Sequence, residues 1–110
     1  MKNRFELIGR IVKDHELKTL KSGDSVLNFS LAQNHSWKDK NREKQERAEY
    51  FDISAFGKVA EIIAKYTGKG NRIAVAGIME NNNFDKEKDG KNFSYRTHKF
   101  TVKDFTFIDF

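Results

Sequence analysis

The chain has 110 residues, a length that fits one domain with a single small core. It contains no cysteine, which excludes a disulfide framework and a thiolate metal site, and no apolar run long enough for a membrane span or a signal-peptide core. Lys and Arg outnumber Asp and Glu by 21 to 16, and the net charge of +5 favours an anionic partner. We therefore expect a cytoplasmic protein.

The first part of the chain predicts two strands with a short edge strand between them. Residues 3–13 alternate apolar and charged side chains, and Gly9 inside this run marks a bulge or a bend at a barrel corner. Residues 17–20 are expected to pair as an edge. Residues 25–34 predict the second strand, with one apolar face and one small, polar face. The expected core residues of the two strands are Phe5, Leu7, Ile11, Leu27, Phe29 and Leu31.

Residues 35–47, HSWKDKNREKQER, predict a long hairpin loop that is too polar to pack as core and is mobile when nothing is bound. From Ser36 to Arg47 the segment has five basic and three acidic residues, and the only tryptophan, Trp37, stands at its base. Two interpretations of Trp37 are open: the ring lies across the rim of a barrel, or it contacts a ligand.

Residues 48–56 predict a third strand whose two faces differ. One face is apolar, and alternation alone assigns Phe51 to it and hence to the core. The other face should meet water, since Asp and Ser lie between Tyr50 and Phe56. Two aromatic rings on a wet face have two explanations: bases stack on them, or a neighbouring loop or subunit covers them.

A short helix follows Gly57. Gly68 is placed to end this helix with a left-handed residue. The helix is expected to close one open end of a barrel with an apolar stripe at i, i+3, i+4 and i+7. This stripe consists of Val59, Ile62, Ile63 and Tyr66.

The last part of the chain predicts two strands separated by a second long loop. Residues 71–79 form the fourth strand, residues 80–91 the loop, and residues 92–107 the last strand region. Asp89-Gly90 is a strong turn signal in the loop. Phe84 in the same loop is an aromatic residue among polar neighbours.

Three strands, one helix and two strands is the arrangement of an all-β fold with one short helix. It predicts a five-stranded OB-fold Greek-key barrel, with the helix between strands 3 and 4. This fold commonly holds nucleic acid across one strand face and its loops.

Enzyme motifs are missing from the sequence. His15, His35 and His98 are far apart and have no metal-ligand spacing. The carboxylates mostly alternate with lysines, as on a solvated surface, and neither a GxSxG motif nor a P-loop occurs. We expect no catalysis, no metal and no cofactor.

A binding surface fits the sequence better, because aromatic rings and basic residues are interleaved outside the predicted core. A ring that stacks on a base contributes roughly 1–3 kcal/mol and accepts any base, and Lys or Arg neutralises phosphates. The candidates for base stacking are Trp37, Tyr50, Phe56 and Phe84. The candidates for phosphate contacts are Arg10, Lys38, Lys40, Arg42 and Lys58.

Five segments together are specific to one family. They are LIGRIVKDHEL at residues 7–17, NFSLA at 28–32, SWKDK at 36–40, FGKVAEII at 56–63 and KYTGKG…VAG at 65–77. With these segments the chain resembles the bacterial-type single-stranded DNA-binding proteins of bacteria, plasmids and phages. The resemblance extends from about residue 3 to residue 105.

The resemblance implies a homotetramer of OB-folds that coats single-stranded DNA, with little sequence preference, in replication, recombination and repair. The four positions at which the family stacks bases fall on the four rings named above. Phe51 matches a family position at a subunit interface, which differs from the core position that alternation assigns to it.

The chain departs from the family pattern in two places. Family members usually have basic residues before the ring of the second loop, whereas residues 80–91 carry four acids against three bases. We expect weaker phosphate contact there, and looser or shorter wrapping of DNA.

Cellular members also continue into a flexible linker with an acidic tip that recruits replication and repair enzymes. The sequence 1–110 ends at FTFIDF, so we expect a single DNA-binding domain without that tail, either a core domain alone or a compact phage or plasmid version.

Two other functions compete with DNA coating. The first is a protein-docking OB module of a primosome, which would bind oligo-dT very weakly or over a short site. The second is an OB-fold nuclease, which would need clustered carboxylates and a divalent ion.

Overall fold

The computed structural model describes residues 3–109 of the chain. Within these residues it has eight strands and one helix. In chain order they are β1 (Phe5–Ile11), β2 (Leu17–Thr19), β3 (Ser25–Lys38), β4 (Lys44–Phe56), α1 (Gly57–Tyr66), β5 (Arg72–Asn81), β6 (Phe84–Lys88), β7 (Lys91–Tyr95) and β8 (His98–Phe107).

Five strands close into a barrel. β1 pairs with β5, and at Arg10 and Ile11 it also pairs with β3, so the order β1-β5-β8-β4-β3 returns to β1. The β4–β8 pair is parallel and the other barrel pairs are antiparallel, while β2 extends the β3 edge. Gly9, which predicted a corner, lies just before the residues at which β1 joins both neighbours. A closed five-stranded barrel with a helix between its third and fourth strands is the predicted OB-fold.

The core is formed by the inward faces of the barrel strands and by one side of α1. Leu27, Phe29 and Leu31 are buried, as the alternation of the second predicted strand requires. These residues belong to one buried cluster that comprises Ile11, Leu27, Phe29, Leu31, Ile53, Ala55, Ala60, Ile63, Ile73, Val75 and Val102.

The prediction that residues 35–47 are the loop of a hairpin was wrong in the length of that loop. β3 and β4 continue beyond the barrel as a regular ribbon that remains paired as far as Lys38 and Lys44, so the connection is only residues 39–43. Pairing satisfies the backbone hydrogen bonds while the polar side chains stay in solvent, so a polar composition does not prevent strand formation. We call residues 34–48 the first hairpin.

Residues 80–91 are also not a structureless loop. β5 continues to Asn81, and β6 and β7 form a separate two-stranded sheet around the predicted Asp89-Gly90 turn. The φ angles of Asp89 and Gly90 are 55° and 75°, as a two-residue type I′ turn requires. The predicted last strand region is therefore two strands, β7 and β8. We call residues 84–95 the second hairpin.

Two predictions about the helix were wrong. Ala60 and Ile63 are the buried residues of α1, whereas Tyr66, the last residue of the helix, is 61% exposed and touches only the edge of the core through the ring of Phe107. The helix ends at Thr67, which has an extended backbone and donates its amide hydrogen to the carbonyl of Ile63. A left-handed residue is therefore not needed at Gly68.

The seam between β5 and β8 contains a β-bulge. Ala76 lies opposite Asp104, but the next residue, Gly77, lies opposite Val102, so Lys103 is the extra residue. A Cβ atom on Gly77 would overlap the backbone carbonyl of Thr101. The two strands thus approach each other too closely at this point for any side chain.

Candidate nucleic-acid interface

The outer face of β3 and β4 is polar and is held together by hydrogen bonds across the strands. Ser30 Oγ donates to Asp52 Oδ1 at 2.6 Å, and Ser54 Oγ donates to Asn28 Oδ1 at 2.7 Å. In both pairs the two residues are directly opposite in the strand register. Because these short side chains project little from the sheet, a flat ring or an extended chain can lie close to its backbone.

Tyr50 and Phe56 stand at the two ends of this polar face. They are six residues apart on one face of β4, a separation of about 20 Å along an extended strand. Tyr50 is 66% exposed, and Phe56 is half-buried. The ammonium group of Lys99 lies 4.4 Å from the centroid of the Phe56 ring, a cation–π arrangement.

A groove of about 710 Å³ runs along the polar face, and Phe56 and Phe84 both line it. Lys99, whose ammonium group lies over Phe56, also lines this groove, so the groove carries a cation as well as two rings. The second hairpin places Phe84 there because its base is closed by two hydrogen bonds. The amide of Asn82 donates to the carbonyl of Thr97 at 2.9 Å, and the Thr97 hydroxyl donates to the carbonyl of Asn82.

Trp37 lies on the first hairpin, on the face of the β3–β4 ribbon opposite to the one that carries Tyr50 and Phe56. The β3–β4 register is continuous from Val26 to Lys38, and Trp37 is five residues beyond Ala32, the residue opposite Tyr50. An odd separation places Trp37 and Tyr50 on opposite faces of the ribbon. Trp37 is 47% exposed. An extended ligand that contacts both rings must therefore cross the edge of the ribbon.

The predicted cation Arg10 lies in the same row as Tyr50. Arg10 is opposite Ala32 in the β1–β3 pair, and Ala32 is opposite Tyr50 in the β3–β4 pair. The Arg10 guanidinium donates to the backbone carbonyl of Gly70, which fixes the position of the charge.

The other predicted cations lie at the two ends of the β3–β4–α1 unit. Lys38 is on the Tyr50 face at the end of β3, and Lys40 and Arg42 are in the turn of the first hairpin. Lys58 is exposed in the first turn of α1, two residues after Phe56. Within residues 3–109, none of these four cations forms an ion pair with an acidic side chain.

The turn that carries Lys40 and Arg42 is organised by Asp39. The pKa of Asp39 is lowered because its carboxylate accepts hydrogen bonds, first from the amide of Glu43 and then from the amide of Asn41 and the side chain of Gln45, and these outweigh desolvation. The ionised carboxylate therefore holds the turn in shape.

Phe51 has the position that alternation predicts. Its side chain is half-buried, packs against the core cluster and lies opposite Leu31. Part of the ring remains at the surface.

Sequence analysis missed three residues of this region. Lys99 covers Phe56, and Tyr95 stacks on Phe84 with ring centroids 5.0 Å apart and planes inclined by 18°. Phe93 is also exposed on the second hairpin. The Asp89-Gly90 turn carried the signal, because a two-residue turn pairs residues symmetrically about it and so places Phe84 opposite Tyr95.

In the part of the chain that the structure describes, no three His, Asp or Glu residues are grouped so that they could hold a metal ion. The one helix described there has ten residues, which is too short to cross a membrane.

These features define the class of the protein: an OB-fold barrel with a groove of the kind that binds oligonucleotides or oligosaccharides in this fold. The sequence model of the Single-strand binding protein family matches residues 2–107. The chain belongs to this family.

Two bacterial relatives show how much of the family's length this chain represents. It is 38% identical over 88 residues to single-stranded DNA-binding protein 1 of Chlorobaculum tepidum, covering 80% of this chain and 54% of the relative. It is 39% identical over 94 residues to the single-stranded DNA-binding protein of Aquifex aeolicus, covering 86% and 63%. The chain thus spans between about half and two thirds of the curated relatives it matches.

Two solved structures share the fold. A Plasmodium falciparum SSB in complex with ssDNA superposes with a TM-score of 0.80 at 27% identity, covering 97% of this chain and 95% of that one. A deletion mutant of the single-stranded DNA binding protein from Thermus aquaticus gives a TM-score of 0.75 at 23% identity, covering 97% of this chain and 50% of that one.

Proposed function

We propose that this chain binds and coats single-stranded DNA with little sequence preference during replication, recombination and repair. The observation that carries the proposal is the groove that Phe56 and Phe84 both line along a polar strand face, with the ammonium group of Lys99 over the Phe56 ring. Bases stack on Trp37, Tyr50, Phe56 and Phe84. Phosphates are held by Arg10, Lys38, Lys40, Arg42 and Lys58, to which the structure adds Lys99.

The chemistry of this surface favours unpaired bases. The exposed rings accept any base, because every base has a π-face, and a duplex hides those faces in its own stack. The polar side chains between Tyr50 and Phe56 are already bonded to one another, so they impose little hydrogen-bond selection on the base. The family and the Plasmodium falciparum SSB solved with ssDNA support this choice of ligand.

The proposed activity needs neither a catalytic step nor a cofactor, since stacking and charge are sufficient for binding. The chain acts as one DNA-binding domain. The proposal places it in the cytoplasm of a bacterial cell, or of the host cell if a phage encodes it. Replication and recombination proteins are its expected neighbours on DNA.

We infer that the working form is a homo-oligomer, a tetramer by analogy with the family, with the exposed part of the Phe51 ring at a subunit interface. Ile8 supports a second copy of the chain, because it is 59% exposed in the middle of β1 and lies opposite the small residue Ala74. Sedimentation analysis tests this: the wild type should have the mass of four chains, and Ile8→Glu should have a lower mass. A wild type that sediments as one chain would exclude the assembly.

Fluorescence of Trp37, the only tryptophan, tests DNA binding directly. Oligo-dT should quench it, duplex DNA of the same length should quench it much less, and the affinity for oligo-dT should fall as salt rises. Equal binding of duplex would contradict the proposal. Very weak binding limited to short oligonucleotides would favour the primosome docking module, and DNA degradation that a chelator stops would favour the nuclease.

A further inference from the structure

We propose that His35 is a proton-dependent phosphate contact, which strengthens binding of single-stranded DNA beside the Trp37 ring as the pH falls. This inference rests on the proposed function and adds to it one residue and the condition under which that residue acts. Its basis is a single carboxylate, that of Glu49, which lies between a histidine and an arginine on one face of the β3–β4 ribbon.

The strand register places these three side chains on the same face as Trp37. Residues directly opposite each other in an antiparallel pair project to the same side, and the side alternates along each strand. His35 is directly opposite Arg47. Trp37 is two residues beyond His35 on β3 and therefore shares its side. Glu49 is two residues beyond Arg47 on β4 and shares that side as well, and we call this side of the ribbon the Trp37 face.

The two oxygens of the Glu49 carboxylate have different partners. Oε1 accepts a hydrogen bond from Nη2 of Arg47 at 2.5 Å, whereas Oε2 lies 3.5 Å from Nε2 of His35. The first distance is that of a charge-assisted hydrogen bond, and the second is longer than a normal one. While the imidazole is neutral, the charges of Arg47 and Glu49 cancel. Protonation of His35 therefore adds one positive charge to the Trp37 face, about 7 Å along β3 from Trp37.

The lysines of the first hairpin do not already supply that charge to the Trp37 face. Lys38 directly follows Trp37, so it projects from the other side of the ribbon, and Lys44 is opposite Lys38. Lys44 is moreover paired with Glu46 at 3.1 Å. Among the paired residues of the ribbon on the Trp37 face, one permanent cation is present, an arginine, and its charge is neutralised.

The barrel strands next to the base of the ribbon carry three further charged groups. Gln33, two residues before His35, donates from Nε2 to a backbone carbonyl of β1 at 2.9 Å, which ties the ribbon to that strand. Gln33 also lines a hollow of about 540 Å³ together with Arg4, Glu6 and Asp104. Arg4 and Glu6 form an ion pair with each other at 2.8 Å. Asp104 adds a negative charge, so this hollow does not oppose a positive charge on His35.

The chain has three histidines, and His35 differs from the other two in its surroundings. Histidine is the side chain whose ordinary charge change falls between about pH 5 and pH 8. His15 Nε2 lies 3.0 Å from the hydroxyl oxygen of Thr67, and His98 is the first residue of β8. Among the histidines of residues 3–109, His35 alone has a carboxylate within ion-pair distance. Its side chain is 45% exposed, so protons from solvent reach it.

A DNA phosphate is the ligand that fits the added charge. Each base in a single strand is flanked by phosphates, so a base that stacks on Trp37 brings phosphates to the face that carries His35. Binding and protonation are reciprocal, because a ligand that favours the protonated state must bind more tightly as protons are added. One further contact to a single strand changes the slope of log K against log salt by about 0.7, which is a factor of about 5 in affinity between 0.1 M and 1 M salt.

The first experiment measures the affinity for oligo-dT at about pH 5.5 and about pH 8, near the two ends of the histidine range. At about 0.1 M salt the wild type should bind about 5-fold more tightly at the lower pH, with a salt slope steeper by about 0.7. His35→Gln keeps a polar side chain that does not titrate, and it should lose this difference. His98→Gln, the matched control, removes another exposed histidine and should keep it. A difference that persists in His35→Gln, or that disappears in His98→Gln, would overturn the inference.

The second experiment measures the protons themselves and does not depend on a variant. Calorimetric titration of the wild type with oligo-dT at about pH 6.5, in two buffers of different ionisation enthalpy, gives the number of protons taken up on binding. We expect the wild type to take up part of one proton per chain and His35→Gln to take up none. A residue that served the fold alone would not link DNA binding to proton uptake, so binding of the wild type without uptake would exclude His35 as a contact.

The outcomes separate this inference from the proposed function. If the wild type does not bind oligo-dT at either pH, the proposed function fails, and this inference fails with it. If the wild type binds with the same affinity at both pH values and takes up no proton, the proposed function stands and only the role of His35 is excluded. A gain at low pH that is as large for duplex DNA as for oligo-dT would show attraction by net charge, and it would also overturn the inference.

Discussion

The two hairpins have mixed charge and arrange it in opposite ways. In the first hairpin Lys44 is paired with Glu46 at 3.1 Å, and at its base Arg47 is paired at 2.5 Å with Glu49, the next residue of β4 beyond the hairpin. Each of these pairs is two residues apart, so a cation and an anion share a face and neutralise each other.

In the second hairpin the same spacing of two residues joins like charges. Lys86 and Lys88 share one face, and Asp85 and Glu87 share the other. Apart from Asp89 in the turn, each side of this hairpin carries one sign of charge. The charge that a polyanion meets on a β-hairpin therefore depends on which face each charged residue occupies. The net charge of the segment does not give this information.

The largest expected effect comes from the ring that joins the barrel to the second hairpin. Phe84→Ala should weaken oligo-dT binding by about 1–3 kcal/mol, because a stacked base loses its platform. Phe84→Tyr keeps the ring and is the control. Fluorescence anisotropy of a labelled oligonucleotide measures both, and an alanine variant that binds like the wild type would remove Phe84 from the path.

Neutralising a carboxylate on the β4 face that carries Tyr50 and Phe56 should strengthen DNA binding. Asp52→Asn keeps the acceptor oxygen for Ser30 and removes a negative charge beside the groove, so affinity should rise by up to about 1 kcal/mol at low salt and by less as salt screens the charge. Glu87→Gln, on the back of the second hairpin, is the matched control and should have a smaller effect. Equal gains from the two variants would show that overall charge, and not its face, controls binding.

A paired lysine and an unpaired lysine should differ in their salt dependence. Lys86→Gln should make the slope of log K against log salt shallower by about 0.7. Lys44→Gln should change it less, since Glu46 already neutralises Lys44. The same salt titration measures both variants, and a larger change for Lys44→Gln would reverse the comparison between the hairpins.

The smallest expected effect is a loss of order at the tip of the first hairpin in acid. Because the pKa of Asp39 is lowered in the folded chain, its ionised form stabilises the turn above the unfolded pKa of about 3.9. This contribution is lost as pH falls through the lower folded value. The amide chemical shifts of Asn41 and Glu43, which donate to Asp39, should report the transition, and Asp39→Asn should abolish it.

Periodicity predicted the barrel because apolar and polar residues alternate along its strands. Leu27, Phe29 and Leu31 alternate with small polar residues, and the structure buries them as predicted. The helix stripe was less accurate. Periodicity identifies an apolar side but not the point at which the helix leaves the core, and so Tyr66 was assigned to the interior.

The hairpins could not be predicted from polarity. Segments of charged residues resemble loops in composition, yet paired strands satisfy their backbone without a core, and this is how residues 34–48 extend the barrel. The position of Trp37 on the other face of that ribbon depends on an unbroken register, which a loop does not have. The pairing of Phe84 with Tyr95 was accessible in principle, since it follows from counting outward from Asp89-Gly90.

The bulge at Gly77 makes the orientation of the second hairpin depend on a residue that is not itself proposed to contact a ligand. β5 leads into that hairpin and β8 follows it. The two strands approach each other closely only because position 77 has no side chain. Even alanine there would have to push the seam apart. In a saturation library selected for DNA binding, this position should return glycine alone, although it would be absent from any map of contacts to the nucleotide.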